Sequence, residues 1–211
     1  MDGTADYQAT AAGARALLEI AVDLVLLHHD PAQHSVDKLL AWERSAILKA
    51  AERTRAFYDV RGEAVPERYA ARVEFVEHER DSIVALRQVH WHRPQHPQRW
   101  TGRDLSQDAA IADGFGVFNF GEYYANRFAA LCWGTHGSTA VGVRTIPDQY
   151  FPALAGFSLD EAADLGMVIA RILLTRAGAL EEMRLRLDAL DQERRQLSNV
   201  AYELLEQGRT P

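Results

Sequence analysis

The sequence predicts an all-α fold: a multi-helix bundle with an irregular central insertion and a long C-terminal helix or helical hairpin. Three observations carry this. Apolar residues recur with helical period at both ends of the 211-residue chain, prolines and glycines interrupt that period at discrete points, and leucines spaced by three and four fill the last quarter. No internal repeat or low-complexity tract is visible, so one helical domain over 1–211 is expected, with an irregular segment at about 90–157.

The first helix is expected from roughly Tyr7 to His29. Leu17, Leu18, Ile20, Ala21, Leu24, Val25 and Leu27 spread around more than one face, which predicts cover on several sides. His28 and His29 sit where a helix C-terminus favours positive charge, and Pro31 stops the helix. Ser35 is placed to cap a second helix running to about Tyr58. Pro66 opens a third, with Tyr69, Val73, Val76 and Ile83 inward. Arg80 and Arg87 share that stripe; either their stems carry the charge outward or they meet a buried acid or anion.

From His90 the period fails, because Pro94 and Pro97 deny the helix its amide donors. A short helix is expected at Asp104–Ala112 and an aromatic one at Val117–Trp133, and Ala140–Ile146 alternates as a short strand would. Ser158-Leu159-Asp160-Glu161 has the pattern of a capping box, which predicts a helix start for the segment 158–207. Leu180, Met183, Leu187, Leu190, Arg194, Leu197, Ala201 and Leu204 then form about four heptads. Uninterrupted, this helix would reach on the order of 75 Å and pair as a parallel homodimer coiled coil, with Arg186 facing Asp191 of the other chain; if Gly178 is a turn, the two halves fold back on each other.

Composition narrows the function. The formal charge of −7 disfavours a generally basic nucleic-acid coat, and a single cysteine, Cys132, excludes an internal disulfide. The acidic start, with no usable signal pattern, and the charges Arg15, Glu19 and Asp23 in the most apolar stretch predict a cytoplasmic protein without a membrane span.

Of the 23 basic residues all but Lys38 and Lys49 are Arg, and residues 82–103 contain no acid in an otherwise acidic chain. This stretch carries Arg87, His90, Trp91, His92, Arg93, His96, Arg99, Trp100 and Arg103. Guanidinium forks match phosphate oxygens and indole faces stack on bases, so Arg87, His90, Trp91, His92, Arg93 and Trp100 are the candidate ligand-binding residues. The competing expectation is that these arginines pair with acids on neighbouring helices.

His90, His92 and His96 crowd three of the eight histidines into seven positions and are the candidate metal ligands if a metal is present, although no acid lies in the loop to support them. Asn119, Glu122, Asn126 and Arg127 are the polar groups of an aromatic region that forms either core or pocket, and Cys132 with His136 makes a possible but unsupported nucleophile pair. No cofactor follows from these residues.

Three functions stay open. The preferred one is a helical interaction or regulatory protein that self-associates through its C-terminal helix and binds a nucleotide, RNA or other anionic partner through the acid-free segment. The alternatives are an enzyme acting on a phosphorylated or RNA substrate through Arg87, His90 and His92, and a metal-dependent enzyme using the His cluster beside an aromatic pocket.

Overall fold

A computed structural model describes residues 3–29, 35–93, 95–135, 147 and 150–207. It is all-helical: α1 (Gly3–His29), α2 (Ser35–Asp59), α3 (Glu67–Trp91), α4 (Leu105–Asp113), α5 (Phe120–Tyr123), a π-helical turn (Tyr124–Phe128), α6 (Ala129–Thr135), α7 (Phe151–Arg176) and α8 (Leu180–Gln207). No described helix is long and apolar enough to cross a membrane. The strand expected at Ala140–Ile146, together with His136, lies outside the described residues. The chain divides into two compact units, Met1–His29 with Ala109–Pro211, and Asp30–Asp108.

The first of these units is built on α1. Ala11, Ala14, Leu18, Ala21, Val22 and Val25 are all fully buried, so the wide apolar surface read in the sequence is covered on more than one side. Their small side chains let α7 lie close and parallel to α1. At one end the Tyr7 and Phe151 rings are 6.0 Å apart, and at the other Arg176 donates to the Leu27 carbonyl. This contact puts a guanidinium on the α1 C-terminus, where the helix dipole favours a cation. A second side of α1 meets α6, where the Tyr7 hydroxyl donates to the Ala130 carbonyl at 3.1 Å.

One sequence expectation is corrected and one pair of alternatives is decided. The helix expected to start at Ser158 starts at Phe151, with Pro152 in its first turn, so Ser158 is a buried mid-helix residue and not a cap. The apolar stripe already runs through Phe151 and Ala155, which outweighs the local capping pattern. A reciprocal cap does exist at Asp104: its carboxylate accepts from the Gln107 amide at 2.9 Å and the Gln107 side chain accepts from the Asp104 amide at 3.2 Å, starting α4.

Of the two arrangements open for the C-terminal segment, the chain takes the hairpin. Gly178 takes φ +69°, a conformation that costs glycine little, and Ala179 N–H returns to the Leu174 carbonyl, so the segment is a helical hairpin. Arg171 Nη2 to Asp188 Oδ1 at 3.1 Å, and Arg194 to Asp160 and Asp164 each at 2.6 Å, set the antiparallel register of α7 and α8. Arg194, the one charged member of the heptad series, thus binds α8 to α7. Asp191 is held by Arg194 and Arg195 of its own helix, which occupies the carboxylate that the parallel pairing assigned to Arg186.

In the other unit α2 and α3 form an antiparallel hairpin closed by Gly62 at φ +65°. Leu48, Ala51, Val76 and Ile83 make its core. Arg80 reaches out of that stripe to an exposed ion pair with Glu52, as its stem permits, whereas Arg87 stays buried. The segment after α3 turns back over the hairpin: Trp42 Nε1 donates to the Pro97 carbonyl at 3.1 Å, and Trp91 Nε1 to the Trp100 carbonyl at 2.8 Å. Gly102, at φ +81°, lies against the Trp91 indole, where a Cβ would come within 2.7 Å of a ring carbon.

Candidate anion site

The acid-free segment separates into an internal part and an accessible part. Arg99 and Arg103 belong to the first. Asp108, with no exposed surface, receives Arg99 Nε and Arg103 Nε at 2.8 Å each and the Thr101 hydroxyl at 2.7 Å. The acid lies five residues beyond the segment, one turn into α4. Trp100 is buried beside this knot, and the Trp91 indole N–H is committed to the Trp100 carbonyl.

Arg87 is likewise internal. Its Nε donates to Ser45 Oγ at 2.6 Å and its Nη2 to the Ser45 carbonyl at 3.3 Å, so the guanidinium meets a serine where the sequence offered an acid or an anion. Burial lowers its pKa from the usual value, with Glu52 opposing and Arg80 adding to the effect. Ser45 Oγ also lies 2.8 Å from His96 Nδ1. Ser45 Oγ thus joins the Arg87 guanidinium to the His96 ring.

His96 marks the accessible part. Burial first, then the positive charges of Lys49, Arg87, Arg53 and Arg93, push its pKa down to about 4. Four cations from α2, α3 and the following turn therefore act on one neutral imidazole. Lys49, Arg53 and Arg93 form no ion pair among the described residues, and Arg93 Nε is buried without a hydrogen-bond partner. Excess positive charge of this kind inside an acidic protein is a local electrostatic departure from the rest of the chain. Lys49 and Arg53 are one helical turn apart on α2, a partnership that a search within 82–103 could not see.

The three histidines diverge. His90 ends α3 with its ring 5.6 Å from that of Trp91, His92 is exposed at φ 52° in the left-handed cap of α3, and His96 faces Ser45 and the Trp42 ring. Among the described residues no three His, Cys, Asp or Glu side chains are grouped to hold a metal.

Because His96 is kept neutral, folding raises the proton affinity gap against the unfolded chain. Stability is unaffected by His96 above its ordinary pKa near 6.5 and falls as pH drops from there toward 4, where the unfolded chain holds a proton that the folded site rejects. Urea unfolding followed by tryptophan fluorescence should show this decline, and His96→Gln should flatten it between pH 6.5 and 4. Equal slopes for the two proteins would refute it.

A second polar cluster lies in the other unit. The π-helical turn interrupts an otherwise α-helical run over 120–135, and from it Arg127 pairs with Glu161 of α7. Burial raises the Glu161 pKa, with the hydrogen bond and charge of Arg127 opposing. The Tyr123 hydroxyl and Glu161 Oε2 are both buried without a hydrogen-bond partner at normal geometry, and burial followed by the Glu161 charge lifts the tyrosine far above its usual range. Of the polar groups expected around the aromatic segment, Asn119 and Glu122 bond each other at the surface and Asn126 is exposed, while Phe120 and Phe151 are core. The capping pattern places Glu161 at a helix start, whereas the apolar stripe upstream of Ser158 is the sequence signal for a helix interior.

Comparison with protein-family models, curated proteins and solved structures gives no match for this chain.

Proposed function

We propose that the chain is a non-catalytic helical interaction protein with a regulatory role, self-associating through its C-terminal hairpin and binding an anionic partner at Lys49, Arg53 and Arg93. The observation that carries the anion site is the set of cations around neutral His96, three of them without an acid among the described residues. His92, exposed at the adjoining cap, is positioned to join the contact. Phosphate oxygens suit both guanidinium forks and the lysine point charge, so a phosphorylated or nucleic-acid partner is favoured over a carboxylate one. A cytoplasmic setting accords with the single cysteine and the acidic composition.

The test uses a fluorescein-labelled single-stranded RNA and, in parallel, inorganic tripolyphosphate. Wild-type binding should weaken with salt, and the Lys49→Ala, Arg53→Ala, Arg93→Ala triple variant should bind at least about tenfold more weakly at low salt. Its log–log salt slope on RNA should be shallower by about 2, at about 0.7 per lost phosphate contact. Arg184→Ala, an exposed arginine of the other unit, is the control. Binding of the triple variant equal to that of wild type at every salt concentration removes the site.

A further inference from the structure

The α7–α8 hairpin has an uncovered apolar side. Of the faces of α7, one carries Ala155, Ser158, Leu165, Val168 and Ile172 into the unit, and another carries Asp160, Asp164 and Arg171 to α8. The remaining face presents Leu159, Ala163, Gly166, Ala170 and Leu173, residues at helical spacing with no charge among them. On α8, Leu187, Asp191, Arg194 and Ser198 point to α7, and the flank beside them carries Arg186, Leu190, Glu193 and Leu197. The opposite flank is polar, with Asp188, Gln192, Arg195 and Asn199.

Helical geometry in an antiparallel pair turns the Leu159 face and the Leu190 flank to the same side, away from α1. The ion-pair register sets Leu190 beside Gly166 and Leu197 beside Leu159. Leu159, Leu173, Leu190 and Leu197 are each 50–67% exposed, so the surface is continuous and unfilled. Buried leucines satisfy themselves within the hairpin; these four do not.

We propose that this surface docks on the same surface of a second copy, as an antiparallel four-helix bundle with a two-fold axis beside Leu190. The charges on the flank select this occupant and orientation. Arg186 and Glu193 are exposed and form no ion pair among the described residues. They stand symmetrically about the level of Ala189 and Leu190, so an antiparallel two-fold places Arg186 opposite Glu193 of the other copy, twice. The same axis crosses α7 near Gly166, where Ala163 and Ala170 on either side keep the surface low enough for helices to approach closely, and it brings Leu159 toward Leu173 of the other copy. A parallel two-fold would set α8 against the uncharged α7 face of the other copy and leave Arg186 and Glu193 unmatched.

This proposal rests on the self-association in the proposed function and specifies its surface, and the experiment separates the two. Light scattering of the full chain at 5–50 μM, a range of about tenfold, should give twice the chain mass. Leu190→Glu and Leu197→Glu, substitutions at positions exposed in a single copy, should give the single-chain mass with unchanged helical circular dichroism. Arg186→Glu and Glu193→Arg should each weaken the dimer at least about tenfold, and the double variant, which restores opposite charges across the axis, should recover to within about threefold. A single-chain mass for wild type overturns self-association itself. A wild-type dimer indifferent to the leucine and charge variants overturns this surface and leaves self-association standing. Weakening by the single charge variants without recovery in the double variant overturns the antiparallel two-fold.

Discussion

Asp108→Ala should cost about 3–5 kcal/mol, the penalty of leaving desolvated charges without their counter-ion. Asp108 is fully buried and takes three donors, from Arg99, Thr101 and Arg103. Its removal takes the counter-ion from Arg99, which is mostly covered, and from Arg103, which is more exposed and recovers part of its solvation. The knot also fixes the turn that places Gly102 against Trp91 and Trp100 in the interior. Trp42, Trp91 and Trp100 lie in the same unit and report its unfolding directly, so the urea midpoint read by tryptophan fluorescence is the measurement. Asp108→Ala with Arg99→Met should recover part of the loss, because the Arg99 charge is gone. A midpoint shift corresponding to under about 1 kcal/mol would show that water satisfies the guanidiniums and that the pair is not structural.

The same aspartate shows what could be read from the sequence. Helical periodicity located α1, α2, α3 and α4 to within a few residues, because burial of an apolar stripe and proline interruption both leave direct marks on the sequence. Pairing between charges leaves none. Whether an arginine binds a ligand or an internal acid depends on which residues the turn at 92–104 brings together, and Asp108, Ser45, Lys49 and Arg53 all lie outside the stretch that drew attention. The acid-free segment did mark unusual chemistry, but its members take different parts: Arg99 and Arg103 hold the turn, Arg87 and His96 share Ser45, and Arg93 alone joins the unpaired cations of α2. The C-terminal leucines were open to both outcomes, since the same three-and-four spacing suits a neighbour in the same chain or in another. Gly178 decided between them locally, and left part of the stripe uncovered.

Arg127→Met should destabilise the unit containing α1 and α7 in a manner that depends on pH. Glu161 is largely buried, and Arg127 supplies the main interaction opposing the upward pull of burial on its pKa. Without the guanidinium the carboxylate either stays charged in a dry site or takes a proton. Protonation sets the upper limit on the cost, about 1.4 kcal/mol for each pH unit above the ordinary carboxylate value. At pH 7 the expected loss is about 2–3 kcal/mol, discounted for the partial exposure of Arg127. An acid whose pKa is raised by folding takes up a proton as the chain folds, so its contribution is intact below the ordinary carboxylate pKa and is lost as pH rises through the folded value. The stability gap between Arg127→Met and wild type should therefore be small near pH 4.5 and widen toward pH 7, as read by urea unfolding monitored by circular dichroism. Adding Glu161→Gln should remove the pH dependence, since an amide has no proton to gain. A gap that is constant with pH would mean that Arg127 acts through the packing of its stem, and that the Glu161 charge is solvated through the π-helical turn.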